Sequence, residues 1–173
     1  MGRETILVIL LVLICSGLTG CITEEEPKGA DLLVGDRLPS FRVTLDDGRT
    51  FGSELLRTGD GIIVFFSTEC PDCQRELPGI QRLYDSLTPE RRLRMACIAR
   101  EEDAGHIAAY WRENGLTLPY SPQPDRRVYN LFATYTIPRL YRTHDGVITE
   151  IRVETDLTDK AAPEGAARIS SIL

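Results

Sequence analysis

The stretch 62-IIVFFSTECPDCQRELP-78 constrains this chain more than any other. Residues 62–66 are all apolar, with no alternation of polar and apolar positions. Such a run fits a strand buried on both faces, the condition of a parallel sheet covered on each side. From Cys70 the pattern becomes helical: Leu77, Ile80, Leu83, Tyr84 and Leu87 share one face. This predicts a helix over 70–87, kinked where Pro78 interrupts it. The chain therefore passes from a buried strand to a helix through a short turn that holds two cysteines, Cys70 and Cys73.

The flanking sequence extends this unit. Residues 41–45 alternate like a strand, and Asp46-Asp47-Gly48 is a hairpin turn signal. Residues 53–57 are expected to form a short helix, ended by Gly59-Asp60-Gly61. A second strand is predicted over 93–99, and a second helix over 101–114 closed by Gly115. Pro119, Pro122 and Pro124 mark an irregular loop, and 125–132 a short helix. Residues 140–143 and 147–154 alternate around Asp145-Gly146 as a hairpin, and 161–173 reads as a closing helix. A hairpin, a strand–helix–strand unit, and a terminal hairpin with a helix make a compact α/β layer fold. Trp111 and Tyr110 are expected in or near the core, and His106 and His144 at the surface.

The chain has 173 residues, enough for one domain, with net charge −6 and no long basic run. Nucleic-acid binding through a phosphate-neutralising surface is thereby excluded. The first residues differ in kind. Residues 6–14 read ILVILLVLI, shorter than the roughly 20 apolar residues of a membrane span, and fit a secretory h-region. The following Leu18-Thr19-Gly20-Cys21 resembles a bacterial lipobox. The resemblance implies a signal peptide over 1–20, lipidation at Cys21, a flexible acidic tether over 21–33, and a domain over 34–173. The protein would then be anchored in a bacterial cell envelope by lipid, its domain facing the periplasm or the exterior. Cys15 would leave with the signal peptide. Cys70, Cys73 and Cys97 would remain, in a compartment that permits disulfides.

A C-x-x-C pair at a helix start has a physical logic. The first cysteine meets unpaired backbone N–H groups and the helix dipole, which stabilise a thiolate. The second lies one turn on, close enough to form a disulfide, and Pro71 in the first turn has no N–H to lose. Thiol–disulfide exchange needs this combination of a nucleophile and a neighbouring resolving thiol.

Several separated motifs resemble a thioredoxin-fold family, the membrane-anchored TlpA/ResA-like thiol–disulfide oxidoreductases. Leu38-Pro39-Ser40-Phe41 resembles the family's Ala-Pro-x-Phe opening, and Leu45-Asp46-Asp47-Gly48 its following turn. Residues 62–66 with Cys70-Pro71-Asp72-Cys73 resemble its strand and active site, and 73-CQRELP-78 its C-x-x-E-x-P helix. Thr136-Ile137-Pro138 resembles the loop whose cis-proline faces the cysteines. The resemblance implies a three-layer thioredoxin-like fold with a central mixed sheet and an N-terminal β-hairpin extension. It also implies that Cys70 attacks, that Cys73 resolves, and that Pro138 is cis with Ile137 presenting backbone groups to substrate. Glu69, Pro71, Asp72, Glu76 and Arg139 would complete the site's surroundings. No cofactor or metal is implied. The partners would be a protein with a disulfide and an upstream thiol donor, such as a membrane thiol transporter.

Three positions depart from the family pattern. Val64 stands where thioredoxin has a buried aspartate, Glu69 where tryptophan precedes the first cysteine, and Arg139 where threonine often follows the cis-proline. Glu69 and Asp72 place negative charge beside Cys70, which disfavours its thiolate and points to a reductase; a nearby Arg139 would oppose them. Other readings of the pair are structural thiols or half a zinc site, for which only Cys97, His106 and His144 remain as further ligands. A peroxiredoxin-like peroxidase would place proline where Ile63 stands. A non-catalytic binding lipoprotein is the remaining alternative. Cys97, in an apolar run, reads as a core thiol, and Glu76 as either a functional or a solvated helix residue.

Overall fold

The computed structural model describes residues 31–153. The expected signal peptide, Cys21, most of the tether and the closing helix over 161–173 lie outside the described residues. Among the described residues there are seven strands and four helices: β1 (Arg42–Thr44), β2 (Thr50–Gly52), β3 (Asp60–Phe66), α1 (Pro71–Ser86), α2 (Pro89–Arg92), β4 (Met95–Ala99), α3 (Ala104–Glu113), β5 (Tyr120–Ser121), α4 (Arg127–Asn130), β6 (Arg139–His144) and β7 (Val147–Val153).

The main sheet has the order β5-β4-β3-β6-β7, and β1-β2 form a separate antiparallel hairpin. The apolar run lies at the centre of the sheet. β3 pairs parallel with β4, placing Val64 opposite Cys97, and antiparallel with β6, placing Val64 opposite Leu140. Parallel neighbours need crossovers, which α1 and α3 provide. Both crossovers step in the same direction across the sheet, so right-handed connection puts both helices on one face.

The two faces are built from alternate residues of β3. On the helical face, Phe66 meets Trp111 at 5.0 Å between ring centroids, and Trp111 meets Tyr120 at 4.9 Å. On the other face, Phe65 meets Tyr129 at 5.3 Å edge-on and Phe132 at 4.9 Å. Phe132 in turn packs against Phe41, just before the hairpin. Each ring pair adds about 0.5–1.5 kcal/mol to its area burial. The result is the mixed three-layer fold expected from sequence, with the hairpin as an extra element.

Several boundaries differ from expectation. Residues 53–57 form turns, not a helix, with Leu56 N–H bonded to the Ser53 carbonyl. The second helix starts at Ala104 because Asp103 caps it, accepting from the Gly105 and His106 N–H groups. Glu101 and Glu102 therefore precede the helix. Tyr120–Ser121, expected in an irregular loop, pair with β4 as a short parallel strand. Proline spacing hid this strand, because two residues show no period. α1 continues through Pro78, an exposed residue whose missing N–H leaves the Gln74 carbonyl without its usual donor. Trp111 is buried, Tyr110 lies at the core margin, and His106 and His144 are exposed.

Residues 31–33, expected in the tether, are joined to the domain. The Leu32 N–H donates to the Phe132 carbonyl at 2.9 Å, and Asp31 bonds Thr134 and Arg139.

The hairpin's attachment makes one glycine irreplaceable. A Cβ on Gly52 would overlap the Phe41 carbonyl oxygen and lie 3.1 Å from Arg42 Cα, both backbone atoms that cannot turn aside. Gly52→Ala is expected to cost about 1–3 kcal/mol, read as a lower urea midpoint at unchanged slope.

Candidate active site

Cys70 is the N-cap of α1, with extended backbone, and Pro71 follows in the first turn. The sequence folds this way because Ser67 ends the apolar strand and because proline starts a helix without losing a bond. The Cys70 N–H donates to the Ser67 carbonyl at 3.3 Å, and the Cys70 carbonyl accepts the Gln74 N–H at 2.9 Å. Cys73 stands one turn into the helix and is buried, whereas Cys70 is half-buried. Both thiols are free, as is Cys97, which is buried in β4.

The two thiols of the pair are chemically unequal. Burial pushes the Cys73 thiol far above its ordinary range. The neighbouring Cys70 adds to this, and a backbone bond at Ser67 and the Arg100 charge oppose it. Burial likewise raises the Cys97 thiol. At neutral pH Cys73 therefore holds its proton.

Opposite Cys70 lies the loop that enters β6. The Ile137–Pro138 peptide bond is cis. The Ile137 carbonyl oxygen is 3.7 Å from Cys70 Sγ, within reach of the thiol proton. Cys70, Cys73, Pro71, Ile137 and Pro138 are thus brought together. The charged neighbours are arranged differently. Asp72 is ion-paired with Arg75 one turn on, so much of its field at Cys70 is cancelled. Glu69 is exposed to solvent, which screens it. Arg139 is buried and turned to Asp31 at 2.9 Å and to the Tyr141 hydroxyl at 3.2 Å. Its positive charge is engaged there. Glu76 is buried at 3% exposure on α1, so it is not a solvated helix residue.

Sequence reasoning missed the group that holds the turn. Glu102 is 5% exposed and accepts two bonds from Thr68: one from its N–H at 2.7 Å and a short one from its hydroxyl. Gln74 Nε2 donates to the Thr68 carbonyl at 2.7 Å. The residue two before Cys70 is therefore fixed at N–H, hydroxyl and carbonyl. Glu102 looked like the start of a helix; only the capping preference of Asp103 could have revealed it as a buried loop residue. Among the described residues no group of three His, Cys, Asp or Glu could hold a metal ion.

A central mixed sheet, a helix-capping C-x-x-C dithiol and a facing cis-proline define a thioredoxin-like protein. Residues 34–151 match the AhpC/TSA family, and the chain belongs to it. Among solved structures, it is similar to a candidate protein disulfide isomerase from Bacteroides thetaiotaomicron, with 22% identity, TM-score 0.68, and 84% of this chain and 91% of that one covered. A thiol:disulfide interchange protein of the thioredoxin family from Chlorobium tepidum has 22% identity and TM-score 0.57 over 71% and 88% of the two chains. A secreted Mycobacterium tuberculosis disulfide oxidoreductase has 17% identity and TM-score 0.61 over 74% and 96%. No curated protein sequence matches significantly.

The inequality of the thiols has a direct readout. In the folded, reduced protein iodoacetamide should modify Cys70 first, while Cys73 and Cys97 stay protonated and unmodified from about pH 6 to 9. Mass spectrometry of quenched samples checks the order, and denaturation should release both protected thiols together. Faster labelling of Cys73 than of Cys70 would contradict the assignment.

Proposed function

We propose that this protein is an extracytoplasmic thiol–disulfide oxidoreductase that reduces protein disulfides through Cys70 and Cys73. The observation that carries this reading is the pairing of a half-buried helix-capping thiol with a buried resolving thiol across one helical turn. The Cys70 thiolate attacks one sulfur of the substrate disulfide. A Cys70–substrate disulfide forms, and the other substrate sulfur leaves and takes a proton. Cys73 then gives up its proton and attacks Cys70 Sγ, which releases the second substrate thiol. The dithiol has lost two electrons and the substrate has gained them. The Cys70–Cys73 disulfide is next reduced by an upstream thiol donor, such as a membrane thiol transporter.

Two features favour the reductive direction. A strong oxidant stabilises its attacking thiolate. Here the nearest candidate cation on the opposing loop, Arg139, is turned to Asp31. The remaining charge beside Cys70, Glu69, is negative, and solvent weakens its effect against the thiolate without reversing it. The extended substrate strand would lie along Ile137 and Pro138, with Pro71, Asp72 and Glu69 at the rim and Glu76 beneath. The apolar 6–14 stretch and Leu18-Thr19-Gly20-Cys21 support export and lipid anchoring at Cys21 in a bacterial envelope. Cys21→Ser should then release the protein from the membrane fraction.

Membership of the AhpC/TSA family supports a second reading, a peroxiredoxin-like peroxidase. The resolving thiol one turn away and Ile63 in β3 favour disulfide exchange over it.

The reduction potential of the Cys70–Cys73 couple, measured in graded thiol buffers, tests the direction. A value near or below about −270 mV supports a reductase; one near about −120 mV reverses the electron flow. Cys73→Ala should accumulate substrate mixed disulfides and Cys70→Ala should not. Equal trapping by both would remove the assigned roles, and rapid hydrogen peroxide consumption would replace the reading with the peroxidase.

A further inference from the structure

The loop facing Cys70 is held by side chains, carbonyl by carbonyl. Arg126 Nη2 donates to the Thr134 carbonyl at 2.6 Å. Arg100 Nη1 donates to the Tyr135 carbonyl at 2.6 Å. The Tyr129 hydroxyl donates to the Thr136 carbonyl at 2.9 Å. The next carbonyl, Ile137, is the one 3.7 Å from Cys70 Sγ. The three donors also hold one another, because the Arg100 and Arg126 guanidiniums lie over the Tyr129 ring at 5.5 and 5.4 Å from its centroid. Tyr129 is itself buried against Phe65 of β3, so the unit is tied to the central strand.

The geometry points to Arg100, Tyr129 and Arg126 as a bracket that positions the cis-proline loop for substrate, given the oxidoreductase reading above. Consecutive carbonyls in a loop lack strand partners, and a loop held by water alone would sample many conformations. Charged donors bind carbonyls more strongly than neutral ones, and two cations on one ring make the donors rigid. A rigid loop presents the Ile137 backbone in one orientation, so an extended polypeptide pays less ordering entropy to pair with it. The loop also displays Tyr135, 82% exposed, whose carbonyl Arg100 holds while its ring faces solvent. Arg126 and Tyr129 touch neither the sulfurs nor the exchanged protons and act on binding alone, whereas the Arg100 charge also bears on the Cys73 thiol, so Arg126→Gln is the variant that isolates the loop.

The full chain and its Arg100→Gln, Arg126→Gln and Arg100→Lys variants test this by two measurements. One is hydrogen exchange of the 133–138 segment followed by mass spectrometry. The other is steady-state reduction of a short synthetic peptide closed by one disulfide. Each glutamine variant should speed exchange in the segment about tenfold and raise KM about tenfold, with kcat held within about twofold in Arg126→Gln. Arg100→Lys keeps a charged donor and should recover most of the KM. Unchanged exchange in both glutamine variants overturns the bracket, and so does a loosened loop with KM unmoved. A fall in kcat without a rise in KM in Arg126→Gln overturns the positioning role. A wild-type protein that leaves the peptide disulfide intact overturns the oxidoreductase reading and the positioning role with it, while exchange still reports whether the bracket holds the loop.

Discussion

Burial of β3 on both faces is the constraint on which the rest depends. Phe65 and Phe66 point to opposite sides and each collects its own aromatic cluster. Neither face can be left to water, so helices must cover one and the Tyr129–Phe132 segment the other. That arrangement determines where the strand ends. β3 stops at Phe66, and Cys70 caps the helix that follows. The loop that enters β6 must arrive beside it, because β6 is the antiparallel neighbour of β3 and Phe65 pairs with Arg139. The dithiol and the cis-proline therefore meet as a consequence of strand order. The same packing seats Tyr129 under the loop it supports.

Most of the scaffold was legible in the sequence because its signals are local. An unbroken apolar run, a helical stripe and an Asp-Gly turn each announce one element within a few residues. The cysteine pair and the Ile-Pro loop were likewise recognisable as short motifs. What stayed hidden depends on contacts between distant residues. Arg139 meets Asp31 across most of the domain, and no spacing rule predicts that a residue in the supposed tether neutralises it. Glu102 is bonded by Thr68 through two donors, and the two lie in loops that follow different strands. Residues 53–57 have helical composition, but the close approach of Leu56 to Gly61 favours turns.

The same distinction applies to the charges around the site. Read along the chain, Glu69, Asp72 and Arg139 form a contest over the Cys70 thiolate. In space, Asp72 is occupied by Arg75 and Arg139 by Asp31, and Glu69 faces water. Pairing removes most of two fields and solvent screens the third. The polar group that faces the Cys70 thiol from the opposing loop is then a neutral one, the Ile137 carbonyl at 3.7 Å.

This shifts the source of asymmetry between the two cysteines. Sequence position already distinguishes them, one at the helix start and the other a turn in. Burial separates them, since Cys73 loses its hydration while Cys70 keeps part of its own. A desolvated thiol is a poor nucleophile toward an incoming substrate. It becomes a good one only when a mixed disulfide forms beside it, because attack on Cys70 Sγ is then intramolecular and expels a thiolate into water. In the proposed exchange, the order of the two steps would thus follow from solvation. Buried Glu102 anchors Thr68 in the turn that leads to Cys70, half-buried at the helix start, with Cys73 buried beneath.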